Sequence, residues 1–343
     1  MTDDRSTRRA FLRDAALLGA GAWAFGACAR ATGATSAAGA PTQAIRPSID
    51  HVGIQLFTVR DRMETDFDGT LAALAAIGYR EVEPFLYHGR TPEQVRASLD
   101  RAGLRAPSTH AALRPGPDLE RQLAGYQLMG HQFAAAAGPL PPGMRPNGPP
   151  GGGPPNGGAP NGGNRPPGGF PAPPPQTLDS VQRTIETLNQ VAAAAKPYGI
   201  RVLVHNHTTE FQPFADGRTP YDVMLAELDP ERVVLELDIG WSTVAGQKAL
   251  ALFDRHPGRF PLWHVKDMAG LSALGGMTGM TERQRAAKIV AVGEGEIDYR
   301  PIFAKAATAG LQHFFVEQDT APQTGDSIAA ARTSFEAIKR LLA

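Results

Sequence analysis

Four stretches in the C-terminal half of the chain end in the same kinds of side chain. His205-Asn206-His207 is followed by Glu210, and then come Glu236-Leu237-Asp238, His264-Val265-Lys266-Asp267 and Glu317-Gln318-Asp319. Each group closes a short apolar run, so the pattern delivers carboxylates and imidazoles to four consecutive strand ends. A carboxylate buried without a partner is costly, and one divalent cation would satisfy such a set together. One His with three carboxylates is an oxygen-rich, moderately hard donor set. It suits Mn²⁺ or Mg²⁺ first, and Co²⁺ or Zn²⁺ next. On residue types alone, Glu236 and Asp238 compete for one place in it.

The elements that must position these residues alternate along the chain. Strands are expected over Val52–Val59, Arg80–Phe85, Arg105–Ala111, His131–Ala137, Arg201–Asn206, Val233–Ile239, Leu262–Lys266 and His313–Gln318. Helices are expected between them: Phe67–Ile77, Pro92–Ala102 behind an N-capping Thr91, Asp118–Met129, and Thr177–Tyr198. Tyr221–Leu228, Lys248–Arg255, Pro301–Ala309 and Ser327–Leu342 complete the set. Short strands alternating with longer helices imply parallel βαβ units. Eight such units predict a single α/β (β/α)8 TIM barrel, whose active site lies at the C-terminal ends of its strands. Glu83 and His110, closing the second and third strands, reach the same rim. A doubly wound sheet would want a Gly-rich phosphate turn after its first strand, and Gln55-Leu56-Phe57-Thr58-Val59-Arg60 offers none.

Length and composition agree once two additions are set aside. At 343 residues the chain is long enough for two domains at about 100–200 residues each. Yet 27 of its 68 Gly and Pro residues fall between Gly138 and Pro175. This Pro/Gly-rich insert cannot build a core and is expected to be disordered after the fourth strand. Residues 1–45 read as an export signal and linker, which leaves 46–343 as one barrel interrupted at 138–175. Lys+Arg and Asp+Glu are both 34, with no basic run, so phosphate-driven nucleic-acid binding is not expected. The single cysteine, Cys28, rules out an internal disulfide and a thiolate zinc cluster. No apolar run of about 18 residues follows the N-terminus, so no membrane span is expected in the mature chain.

The N-terminus carries its own signal. Ser6-Thr7-Arg8-Arg9-Ala10-Phe11-Leu12 before an apolar run from Ala15 to Ala27 resembles a twin-arginine export signal. Gly26-Ala27-Cys28 resembles a lipoprotein processing site, which implies a lipid anchor at Cys28. Cleavage after a small residue such as Ala31 is the alternative. Either way the mature chain is expected in the periplasm or anchored to the envelope.

Several phrases are similar to the sugar phosphate isomerase/epimerase group of the xylose isomerase-like TIM-barrel superfamily. They are Gly53-Ile54-Gln55-Leu56-Phe57-Thr58-Val59-Arg60, His205-Asn206-His207-Thr208-Thr209-Glu210-Phe211, Asp238-Ile239-Gly240-Trp241, His264-Val265-Lys266-Asp267 and Val292-Gly293-Glu294-Gly295. The resemblance covers about residues 50–342, the insert excepted. It implies a divalent metal held by Glu210, Asp238, His264 and Glu317. Strand alternation favours Asp238 over Glu236, since the two share a face and Asp238 lies nearer the C-terminal end.

The chemistry so implied is proton abstraction next to a sugar carbonyl by Glu210 or Glu317, through an enediolate. Lys266 would donate a proton or hold a substrate oxygen, or else pair with Asp267. His110, Glu83, His205, His207 and Trp241 are the expected substrate contacts. Several members of the group place a His where Trp241 stands, and an indole cannot act as an acid or base. An exported enzyme would also not meet cytoplasmic sugar phosphates. The expected activity is therefore isomerisation or epimerisation of a non-phosphorylated keto sugar or keto-glycoside. A sugar lyase or dehydratase on the same site, and a non-catalytic carbohydrate-binding barrel, are the alternatives. Barrels of this group often pair, which leaves a homo-oligomer open.

Overall fold

Eight parallel strands form the sheet in the order β2-β1-β10-β7-β6-β5-β4-β3. They are β1 (Val52–Gln55), β2 (Glu81–Glu83), β3 (Ser108–Leu113), β4 (Phe133–Ala136), β5 (Arg201–His205), β6 (Val233–Asp238), β7 (Leu262–Val265) and β10 (His313–Val316). β8 (Asp267–Ala269) and β9 (Lys288–Val290) pair antiparallel as a separate ribbon after β7. This computed structural model describes residues 47–48, 51–137 and 176–343. The expected export signal, Cys28 and the insert at 138–175 lie outside the described residues.

The ring closes between β2 and β3 through a short seam rather than a full ladder. Glu81 bridges to Arg105, Val82 N–H donates to Arg105 O at 2.8 Å, and His110 N–H donates to Pro84 O at 2.7 Å. Pro84 and Pro107 sit where further rungs would fall, and neither has an amide hydrogen to give. The pairing of β3 with β4 also shifts register between Thr109 and Leu113, the stretch that carries His110.

Alternation along the strands divides the core in two. One set of side chains, including Val202, Leu235, Leu237, Trp263, Val265 and Phe314, packs against the helices in the main cluster. The alternate set, Phe133, Leu203, Val234, Leu262 and Phe315, forms its own small cluster within the barrel. Two residues beyond Leu203, Val234, Leu262 and Phe315 stand His205, Glu236, His264 and Glu317. The polar layer thus rests on an apolar plug, on the same inward face of each strand.

Helix boundaries follow local chemistry. Thr91 and Thr177 both make capping boxes, and Gly103 ends the first of these helices in the left-handed conformation. Two expected strands stop early because a polar side chain turns the chain into a helix. Gln55 accepts from Phe57 N–H at 3.0 Å, so Leu56–Val59 is 3₁₀ and Arg60–Thr65 is α-helical. Asp238 accepts from Trp241 N–H at 2.7 Å, so Ile239–Val244 is helical. Sequence patterning missed the β8–β9 ribbon and the helix Met280–Ala286, which are too short to show a period. No helix among the described residues is long and apolar enough to cross a membrane.

Candidate metal centre

The ends of β5, β6, β7 and β10 bring His205, Asp238, His264 and Glu317 together. One ligand atom from each lies within 4.8 Å of all the others. Each side chain arrives for a local reason. His205 is the last residue of β5, and Asn206 clamps β5 to β6 by donating to Asp238 O and accepting from Asp238 N–H. Asp238 spends Oδ1 on the helix cap, which turns Oδ2 inward to 3.4 Å from His205 Nε2. His264 presents Nδ1 to Glu317 Oε2 at 2.7 Å and to Asp238 Oδ2 at 3.9 Å.

These atoms fit a cation better than they fit each other. His264 Nδ1 is buried and makes no hydrogen bond, and its neighbour Glu317 Oε2 has only ionic company, from Lys266 Nζ at 2.9 Å. A buried ring nitrogen with no hydrogen bond is expensive unless something takes its lone pair or its proton. Two imidazoles and two carboxylates, with one nitrogen or oxygen each, form a donor set for a mid-sized divalent ion. Mixed imidazole and carboxylate donors of this kind suit several divalent ions.

A buried cation already borders the site. Lys266 is 1% exposed, and its Nζ lies 3.1 Å from Asp238, 2.9 Å from Glu317 and 2.6 Å from Asp319. Burial works against its charge, but these carboxylates outweigh it and raise its pKa well above the usual lysine value. Burial would raise Glu317, yet Lys266 and His264 hold it well below the carboxylate range. Asp319 is pushed up, first by burial and despite Lys266. The alternative partner for Lys266 is otherwise engaged. Asp267 accepts from Gly293 N–H at 2.9 Å, Gly295 N–H at 3.1 Å and Ile297 N–H at 3.2 Å. It therefore anchors the loop carrying the Val292-Gly293-Glu294-Gly295 phrase.

Glu210 is not among the four converging residues. It sits in the 3₁₀ turn Thr209–Phe211, where Oε2 accepts from His207 N–H at 2.7 Å and Oε1 from the Thr209 hydroxyl at 3.1 Å. Glu83 and His110 lie on the far side of His264, together with Glu236. His264 Nε2 is 2.7 Å from Glu83 Oε2, and His110 Nε2 is 2.5 Å from Glu236 Oε2. Glu83 is wholly buried, packed against His264. His207 and Trp241 border the metal group on its open side, with ring centres 6.1 Å apart. The Trp241 ring lies 5.1 Å from Lys266 Nζ. Asp319, at the end of the same strand as Glu317, is the rim carboxylate that the sequence reading left without a role. Its spacing of two from Glu317 was the available signal.

Comparison with known proteins places this geometry in context. An inosose dehydratase of Geobacillus thermodenitrificans is 26% identical over 159 residues, 44% of this chain and 52% of its own. The chain spans about half the length of the curated relatives it matches. A sugar phosphate isomerase/epimerase from Parabacteroides distasonis superposes with a TM-score of 0.60 at 19% identity, covering 90% of this chain and 97% of that one. The IOLI protein with a bound zinc atom superposes with a TM-score of 0.58 at 12% identity, covering 85% and 98%. Residues 156–341, more than half of the sequence, match the family described as the xylose isomerase-like TIM barrel. With eight parallel strands around one polar centre, the chain belongs to that family.

Proposed function

We propose that this protein is a divalent-metal-dependent enzyme that enolises a non-phosphorylated keto sugar or keto-glycoside, as an isomerase or epimerase. The observation that carries this reading is the convergence of His205, Asp238, His264 and Glu317, with the buried His264 Nδ1 left without a hydrogen bond. A bound cation would polarise a substrate carbonyl and acidify the proton on the neighbouring carbon. Glu317, held ionised beside Lys266, takes that proton. The C–H electron pair becomes the new C=C bond, and the carbonyl oxygen takes the charge as an enediolate. The Lys266 ammonium then donates to a developing oxygen. Trp241 and His207 line the open side, where an indole face suits a sugar ring.

The reading also holds the chain to be exported. The twin-arginine-like start supports it, with the periplasm or an envelope anchor at Cys28 as the address. That address favours an unphosphorylated small sugar over a sugar phosphate, with no nucleic acid involved.

A second reading rests on the curated relatives, which are named as inosose dehydratases. From the same enediolate, loss of a hydroxyl from the next carbon, protonated by Lys266, gives a dehydrated product and water. Incubation with keto sugars, keto-glycosides and inososes in D₂O separates the two. Deuterium on the carbon next to the carbonyl of recovered or epimerised sugar supports the first reading. A dehydrated product supports the second. No exchange with any of them, together with no metal in the purified protein and unchanged sugar binding in Glu317→Gln, would leave a carbohydrate-binding barrel.

A further inference from the structure

His264 stands between two groups of side chains that use opposite nitrogens of its ring. Nδ1 faces Glu317 and Asp238; Nε2 faces Glu83 at 2.7 Å and Glu236 at 3.4 Å. Both groups have the composition of a metal site: Glu83, His110, Glu236 and His264 also converge within 4.8 Å. A neutral imidazole offers one lone pair and one N–H, so it can ligate on only one side. The hydrogen bonds decide which. His264 Nδ1 makes no hydrogen bond, whereas Nε2 bonds to Glu83 Oε2.

On the Nε2 side a hydrogen-bond network engages the ring nitrogen, and Glu236 Oε1 is the oxygen it leaves without a hydrogen bond. His264 Nε2 meets Glu83 Oε2, Gln55 Nε2 donates to the same oxygen at 2.9 Å, and the Ser108 hydroxyl donates to Glu83 Oε1. His110 occupies Glu236 Oε2. Gln55 is itself fixed, since its Oε1 accepts from Phe57 N–H and its backbone is in register with Glu83 across β1 and β2.

We infer that Glu83 is a positioning residue. It accepts the Nε2–H of His264 and so commits Nδ1 to the cation, while Gln55 and Ser108 hold Glu83 in place. A carboxylate behind a ligating histidine fixes ring and tautomer and raises its basicity, and its loss typically costs about 10–100-fold in metal affinity. His110 meanwhile engages Glu236 Oε2 beside it. This inference rests on the cation reading of the upper group.

The test is Zn²⁺ binding by the purified chain, measured by competition with a chromophoric chelator, with ¹⁵N-histidine NMR of the Zn²⁺-loaded protein. Wild type should bind one Zn²⁺, with His264 Nδ1 at the metal and a slowly exchanging Nε2–H. Glu83→Leu should weaken Zn²⁺ by about 10–100-fold and speed exchange of that proton. Glu83→Gln keeps an acceptor oxygen and the shape of the site, and should restore part of both. Equal affinity in wild type and Glu83→Leu, or metal on Nε2, overturns the inference and leaves the cation reading intact. Two tightly bound Zn²⁺ per wild-type chain also overturn it, since the lower group would then be a second site. Wild type that binds no Zn²⁺ overturns the cation reading and this inference together.

Discussion

Lys266 holds its ammonium 2.9 Å from Glu317 Oε2, and both side chains are buried. Asp238 and Asp319 complete a ring of three carboxylates around that one charge. Removing one member of a buried charged set leaves its partners uncompensated, at about 3–5 kcal/mol. Lys266→Met should therefore destabilise metal-free protein by that order in urea unfolding. Mn²⁺ should recover much of the loss, because a cation can take over the same carboxylates. Catalytic exchange in D₂O should fall by about 10²–10⁴ for loss of a general acid. Unchanged metal-free stability would show that the ammonium does not compensate these carboxylates.

His205 and Glu210 offer a direct comparison of two candidate ligands on one segment. His205 Nε2 lies 3.4 Å from Asp238 Oδ2, whereas Glu210 is tied to its own turn through His207 N–H. His205→Ala should reduce Mn²⁺ affinity far more than Glu210→Gln does, read by calorimetry on the same preparations. The reverse order would mean that the turn at Thr209–Phe211 rearranges to bring Glu210 onto the metal.

Asp267 gathers three backbone N–H groups from Gly293 to Ile297. In Asp267→Asn one oxygen becomes an amide that cannot accept, which leaves at least one part-buried loop donor to water, at a cost of about 1 kcal/mol. Hydrogen exchange should accelerate over residues 290–298 and along the β8–β9 ribbon, with the β5 and β6 strands unaffected. Uniform exchange throughout would argue that the loop is held by other contacts.

His131 gives the barrel an acid limit. Its ring is buried; Nδ1 meets Ala106 O at 2.6 Å and Nε2 meets the Tyr87 hydroxyl at 2.8 Å. Burial lowers its pKa to about 4, with the Ala106 carbonyl opposing. In the unfolded chain the ring protonates near about 6.5. Between these values the unfolded state binds a proton that the folded state refuses, so stability rises with pH across this window. Acidification from about pH 6.5 to about pH 4 therefore removes on the order of 3 kcal/mol, and the loss levels off below that. Urea unfolding at a series of pH values should show a shallower slope in His131→Gln. Identical slopes in the two proteins would exclude this residue as the cause.

What the sequence by itself determined is what local rules can carry. Strand-and-helix alternation, the Thr91 and Thr177 caps and the period of two along each strand are properties of a few neighbouring residues. They sufficed to read a (β/α)8 barrel and to bring Asp238, His264 and Glu317 to one rim. The tertiary structure decided everything that depends on where a side chain turns after it arrives. A hydrogen bond from His207 N–H holds Glu210 within its own turn, which leaves His205 as the β5 side chain in the metal group. The depth of the barrel buries Glu83 against His264, while His110 stays part-exposed beside the His205 ring. The backbone amides of a loop about 30 residues downstream claim Asp267, so Lys266 turns to Asp238, Glu317 and Asp319. These choices are settled by contacts between residues far apart in the chain, and no local pattern encodes them.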